Sequence, residues 1–346
     1  MNGSVISQNV QNSGPRKQRT CFKMPEVKRY TISEPYLDLG CGLGEAPFWE
    51  KDRDTLRFVD IVKEKLHTVK LSEGPSSHKQ WDLKYSIGTT ADIEGNETEF
   101  IFGGKTGYGV FNKATGEHRI IKEMWTDAER QDDNGGNLGK GKNLEERMRS
   151  NDGAVDIKGR FYVGAMNDPA VVGNGNFTDE GILFRLDPDL SIHRVKKGIT
   201  IPNGTSWTLD NKTMYLTDSP SGKIMAHPYN PETGELSPKG KEFFTCPYEG
   251  GVPDGHCQDE EGHFWVACFG TSKVVRVSPQ GEVVAEVEVP TRCVTCPELC
   301  GTKLFITTAA EEEPEKFPWS TKYQGALFMI DVGVRGLPRN KFTGKV

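Results

Sequence analysis

Residues 204–230 read GTSWTLDNKTMYLTDSPSGKIMAHPYN, and residues 255–281 read GHCQDEEGHFWVACFGTSKVVRVSPQG. The two stretches follow one course. A turn of Asp, Asn, Gly or Lys leads into a short alternating apolar-aromatic strand, and a second turn and strand follow. The same pattern runs through 45–71 (EAPFWEKDRDTLRFVDIVKEKLHTVKL), 97–121, 153–195 and 293–332. Comparable turns fall near Gly159, Asn211 and Gly262, about 51 residues apart, and again near Gly301. Four strands of roughly five to six residues with their turns fill such a period. Helical periodicity is nearly absent, and the sole short helix expected lies near Asn143–Arg149. The expected fold is therefore all-β: six four-stranded units around an axis, a six-bladed β-propeller that leaves only short, protected edges. A sandwich would not repeat a four-strand unit six times, and solenoid repeats are shorter.

Composition narrows the function. The chain has 346 residues, 43 Lys and Arg against 49 Asp and Glu, and a net charge of −6. A nucleic-acid binder needs a concentrated basic face, which this balance argues against. No apolar run approaches the roughly 20 residues that span a bilayer, so no membrane role is expected. Seventeen Phe, six Trp and nine Tyr call for a packed core rather than disorder. Residues 1–28 are polar and read as a flexible leader, with the propeller expected over 29–346. Eight cysteines are too dilute for a disulfide scaffold, which points to reduced thiols and a cytoplasmic setting. Cys293, Cys296 and Cys300 lack the second cluster that a soft-metal site wants and fit a strand better. The Gly- and Asn-rich stretch 126–146 is an insertion between the second and third units, either disordered or a lid.

A propeller brings the start of every inner strand to its axis. Four such starts carry polar chemistry beside Gly or Pro: Gly44-Glu45-Ala46-Pro47, Arg149-Ser150-Asn151-Asp152-Gly153, Pro202-Asn203-Gly204 and Pro253-Asp254-Gly255. Each alone is an ordinary turn signal. Together they put Glu45, Asn203 and Asp254 at one point of the repeat, two carboxylates and an amide oxygen. An all-oxygen set of that kind suits one hard divalent cation at a central metal site.

Four ordered motifs, LGEAPFW (43–49), RSNDGAVDIKGRFYVGAM (149–166), IPNGTSWTLDNKTMYLTDS (201–219) and PDGHCQDEEGHFWVACF (253–269), resemble the senescence marker protein-30/gluconolactonase family, relatives of regucalcin and the sugar lactonases. The resemblance covers about Gly42 to Gly344. It implies a lactonase that opens an aldonolactone to its hydroxy acid with a metal as Lewis acid, Ca²⁺ foremost, with Mg²⁺, Mn²⁺, Zn²⁺ or Fe²⁺ as alternatives. It places the metal ligands on Glu45, Asn203 and Asp254, substrate contacts on Arg149 and Asn151, and the general acid/base on Asp254. Asp152 adjoins the site, and Asp168 is a further candidate for substrate contact. Two other classes are compatible with the same ligands: a non-catalytic calcium-binding regulatory propeller, and an esterase or organophosphate hydrolase. No Gly-x-Ser-x-Gly elbow is present to serve covalent catalysis. His256 reads as a locally bonded strand residue with a proton relay as the alternative, and Trp207 and Trp265 read as core aromatics.

Overall fold

A computed structural model describes Met1, residues 27–131 and residues 143–346. Six antiparallel sheets follow one another along the chain. Their inner strands are Gly44–Glu50, Ile87–Ile93, Met148–Val155, Pro202–Trp207, Val252–Gln258 and Val294–Cys300, which open blades I to VI. Each inner strand touches the inner strands of its two neighbours, and blade VI touches blade I, so the ring closes. The six-bladed propeller expected from the repeats is the fold observed.

The turn after each inner strand reverses the chain through a left-handed residue: Asp54, Gly95, Gly159, Asn211, Gly262 and Gly301. Glycine enters that region freely, and Asp and Asn more readily than other residues. These turns are the physical origin of the repeat read from the sequence.

Apolar side chains of neighbouring blades mesh face to face, giving one buried cluster at each of the six seams. Phe100 and Phe102 of blade II pack on Val59 and Ile61 of blade I, and Tyr162 and Leu183 of blade III pack on Trp207 and Met214 of blade IV. Trp207 and Trp265 lie in these seams, as expected of core aromatics. The inner strands are buried almost throughout, whereas the outer strand His118–Glu123 has no buried residue.

Blade VI departs from the expected four strands, because among the described residues its sheet holds three. Its outer edge is met instead by the N-terminal segment, whose Leu37 bridges Leu327. The same segment first runs as Lys28–Thr31, parallel to Val283–Glu288 of blade V. It therefore binds the last two blades before entering the first. Most of the leader read over 1–28 lies outside the described residues. The insertion 126–146 is described only at its flanks, as the short helices Asp127–Gln131 and Leu144–Arg147, the second capped reciprocally by Asn143 and Glu146. Arg149 lies beyond that helix, on the inner strand that begins at Met148, because the cap commits only one turn of chain.

Candidate functional site

All six inner strands slip register against the second strand of their blade, between Glu45 and Phe48, Ile87 and Thr89, Ser150 and Gly153, Asn203 and Thr205, Pro253 and His256, and Val294 and Pro297. A bulge bends a strand and re-aims side chains that the pleat would otherwise send into a seam. Glu45, Asn151, Asp152, Asn203 and Asp254 stand at or beside these bulges. Close approach of the strands there requires glycine. A Cβ at Gly204 would lie 2.2 Å from His256 Nδ1, and one at Gly88 would lie 2.2 Å from the Asn151 carbonyl oxygen. Ala46, next to Glu45, holds a left-handed φ of 49°, strain of about 1 kcal/mol or more stored at the site.

One hydrogen-bonded chain joins the predicted residues across three blades. Arg149 Nη1 donates to Asn151 Oδ1 at 2.8 Å and to the Ser150 carbonyl at 2.8 Å. Asn151 Nδ2 donates to Asn203 Oδ1 at 3.0 Å and to the Pro202 carbonyl at 3.0 Å. Asn203 Nδ2 donates to Ser219 Oγ at 2.9 Å, and Ser219 Oγ donates to the Pro253 carbonyl at 2.8 Å, one residue before Asp254. Ser219 escaped the sequence reading, since a serine after a strand reads as a plain turn residue. Glu45 Oε2 accepts from the Ala46 N–H at 2.9 Å, whereas the buried Asp254 Oδ1 has no partner.

The charges are as tightly grouped as the bonds. Burial, then the charge of Asp152, pushes the Glu45 carboxyl up to about 8 against the pull of its Ala46 bond and of Arg149. Asp254 is raised well above the carboxylate range by burial and then by Glu45 and Asp152. Burial lifts Asp152 to about 6. Arg149 is itself lowered by burial, with Asp168, Glu45 and Asp254 opposing. Glu45 and Asp254 thus share the buried Arg149 while Asp152 is drawn down by Arg339 instead, and an ionised cluster of that kind is unfavourable without further positive charge. Among the described residues no group of three or more His, Cys, Asp and Glu side chains is arranged to hold a metal ion. A cation here must use amide oxygen as well. Asn203 Oδ1 accepts one hydrogen bond and keeps a second lone pair.

Below this cluster the channel encloses about 210 Å³, lined among others by Thr89, Asp152, Ser206, His256 and Cys296. Its far end is stopped by residues 336–340. His256 is held locally, its Nε2 lying 2.7 Å from Ser206 Oγ, and burial takes its pKa to about 3, which leaves the ring neutral. Asp168 caps the helix Pro169–Val172 through the Ala170 N–H at 3.0 Å and pairs with Lys105, so its carboxylate is already engaged. Cys296 and Cys300 lie on the strand Val294–Cys300, with Cys293 just before it. All three are buried free thiols whose pKa burial raises.

Six blades with acidic and amide side chains gathered at the inner-strand starts define a propeller with a candidate site in its channel. The chain belongs to the SMP-30/gluconolactonase/LRE-like family, whose model matches residues 43–310. It is 29% identical over 323 residues to regucalcin of Xenopus laevis, covering 90% of this chain and 97% of that protein. It is 28% identical over 309 residues to pentonolactonase XacC of Haloferax volcanii, covering 87% and 95%. Among solved structures, the calcium-binding protein regucalcin from Agrobacterium tumefaciens superposes with a TM-score of 0.77 at 23% identity, covering 91% of this chain and 99% of that one. Lactone hydrolysis is an activity of this family. No helix among the described residues is long and apolar enough to cross a membrane.

Proposed function

We propose that the protein opens the ring of a sugar aldonolactone to the hydroxy acid, with one divalent cation held by Glu45, Asn203 and Asp254. The observation that carries this reading is the buried acidic cluster, in which Asp254 Oδ1 has no partner and both Glu45 and Asp254 resist ionisation in the absence of a counter-charge. A bound dication would supply Lewis-acid polarisation of the lactone carbonyl and the positive charge that the cluster lacks. Ca²⁺ suits such hard oxygen donors, in keeping with the calcium-binding relative, with Mg²⁺, Mn²⁺, Zn²⁺ and Fe²⁺ as alternatives.

This chain's own residues provide the rest. Arg149 spends Nη1 on Asn151 and Ser150, while its Nε and Nη2 hydrogen-bond no described residue and are left for a substrate hydroxyl or carbonyl. Asn151, fixed by Arg149 and by Asn203, orients the sugar and the ligand side chain together. Asp254 takes the proton from the attacking water and returns it to the ring oxygen as the C–O bond breaks. Asp152, its pKa near 6, stands close enough to influence both acids and to hold that water. No covalent nucleophile is required. The pairing of Arg149 with Asn151 beside the acidic cluster favours catalysis over a purely ion-binding role, because an ion site has no use for a sugar-holding pair.

The test is acid release in a pH-stat from a panel of aldonolactones, a simple ester and a fluorophosphate, each with several divalent ions. Lactone turnover that EDTA removes and a divalent ion restores is expected, with Asp254→Asn at least about a thousandfold slower in a folded protein. Full activity in protein shown metal-free, or in Asp254→Asn, overturns the proposal. Cytoplasmic residence and a small-molecule partner without nucleic acid or membrane are part of the same reading. The oligomeric state is no part of it.

A further inference from the structure

Beside the hydrogen-bonded chain, one ring stands between the two strands that carry Asn203 and Asp254. His256 is 3% exposed, and its ring lies against the Cα of Gly204, so that a Cβ there would fall 2.2 Å from Nδ1 and 2.8 Å from Cε1. Nδ1 has no hydrogen-bond partner among the described residues, so contact rather than bonding sets the ring against the neighbouring strand. The other nitrogen, Nε2, lies 2.7 Å from Ser206 Oγ, two residues beyond Gly204 on the same strand. Phe264 meets the ring edge-on, with centroids 5.5 Å apart and planes at 77°, and packs in turn on Tyr215. The imidazole is held by three neighbours.

Both sides of this contact fall at bulges. Gly204 lies inside the slip between Asn203 and Thr205, and His256 closes the slip that begins at Pro253. Asn203 is one position from the contact and Asp254 two, on opposite sides of one seam. Nearer their starts the same strands are tied by Ser219, which bonds both the Asn203 side chain and the Pro253 carbonyl. A tie on one side of the ligand pair and a spacer on the other leave the gap little freedom, because close-packed interiors transmit such a constraint. The next seam is built differently, since Gly255 of blade V faces only the Cα, Cβ and Sγ of Cys296. The ring is a feature of the seam that Asn203 and Asp254 flank.

The geometry points to His256 as a positioning residue that sets which cation the site accepts: its ring spaces the two strands so that Asn203 and Asp254 admit an ion of the size of Ca²⁺ in preference to the smaller Mg²⁺. Oxygen ligands stand about 2.3–2.6 Å from Ca²⁺ and about 2.0–2.1 Å from Mg²⁺, which also demands the stricter geometry. The width of the gap therefore decides between them. A wedge that keeps two of the three donors apart favours the larger ion. The inference rests on the ligand set proposed above. His256 acts through the strands, and the role calls for no proton at the ring.

The experiment titrates EDTA-treated full-length protein with Ca²⁺ and with Mg²⁺ by calorimetry and takes the ratio of the two affinities, which a general loss of stability would leave unchanged. His256→Ser removes the spacer and is expected to cut the preference for Ca²⁺ at least about tenfold, the lower end of what changes in supporting contacts produce. His256→Asn, also smaller but able to bond Ser206, gives the same readout should the serine variant not fold. His256→Phe keeps a ring and should retain most of the ratio. Ser206→Ala should weaken both ions alike and add nothing to His256→Phe, since each removes the same bond. An unchanged ratio in folded His256→Ser or His256→Asn overturns the inference, as does a wild type that binds Mg²⁺ as tightly as Ca²⁺. Protein that binds neither ion, or binds both undiminished after Asp254→Asn, overturns the ligand set itself and this inference with it.

Discussion

Glu45, Asp152 and Asp254 bind protons more tightly in the folded chain than an ordinary carboxyl does, and that has a measurable consequence. Burial is the first cause for all three, and mutual repulsion the second for Glu45 and Asp254. A raised carboxyl pKa means that, between the unfolded value of 4.5 and about 8 for Glu45, the native state holds more protons than the unfolded one. Stability then falls as pH rises through that window and is fully retained only below it. The thermal midpoint of EDTA-treated protein should decline steadily from pH 5 to pH 8, Glu45→Gln should flatten most of that slope, and a saturating divalent ion should remove it. A flat profile in the wild type would mean that the cluster is better compensated than its geometry indicates. Ser219 makes a second residue-level case. Its hydroxyl bridges Asn203 and the Pro253 carbonyl, so Ser219→Ala frees both without touching substrate. Losses from such supporting contacts typically run to 10–100-fold in ion affinity or activity. A roughly tenfold drop, with the divalent-ion titration shifted to higher concentration and Ser219→Thr recovering part of it, would mark a positioning role. An unshifted titration would make the residue merely structural.

At the scale of the strand, the bulge is the device that makes the site. Gly204 occupies one, with its Cα facing the His256 ring of the next blade and the Asp254 carbonyl. Gly204→Ala places a carbon 2.2 Å from His256 Nδ1, inside any tolerable contact, so the two inner strands must part. Overpacking of that order costs about 1–3 kcal/mol. The urea midpoint should fall with the slope unchanged, and ion affinity should fall with it. A variant as stable as the wild type would show that the strands have slack. The same elements explain what could be read beforehand. Gly159, Asn211, Gly262 and Gly301 announced the hairpins because a left-handed turn selects its residues locally, by sterics alone. Asp54 and Gly95 do the same work but stand off the spacing of about 51 residues, which hid them. Glu45, Asn203 and Asp254 were legible because each adjoins a Gly or Pro at a strand start. Ser219 was not, since its bonds depend on which blades become neighbours, a fact of the closed ring. The missing fourth strand of blade VI belongs to the same class: Leu37 is 290 residues from Leu327, and no local pattern links them.

The ring as a whole is fastened on its rim and at one end of its channel. On the outer side the N-terminal segment binds blades V and VI before starting blade I. At the end of the channel opposite the acidic cluster, the C-terminal segment crosses four blades. Leu337 N–H donates to the Gln258 carbonyl at 3.0 Å in blade V, and Asn340 Nδ2 donates to the Val155 carbonyl at 3.1 Å in blade III. Phe342 lies beside Ile93 of blade II, its N–H donating to the Asp92 carbonyl at 2.8 Å, and Arg339 grips the buried Glu298 of blade VI. A chain ending at Val334 loses all of these at once. It exposes the surface that Phe342 covers and leaves Glu298 buried without its guanidinium, changes worth about 3–5 kcal/mol each in other proteins. For a chain of this size that amounts to a fall in melting midpoint on the order of 10 °C or more. The loss should divide by cause: in the full chain Arg339→Met alone should destabilise strongly, and adding Glu298→Leu should recover much of it, because the unpaired acid rather than the absent base carries the penalty. Turnover per folded molecule should fall less than stability at low temperature, since the segment touches the ends of the inner strands and reaches the acidic cluster only through the charge of Arg339 on Asp152. If the shortened chain instead melts with the wild type, the ring is held by its six seams alone, and the closing segment is only a stopper in the channel.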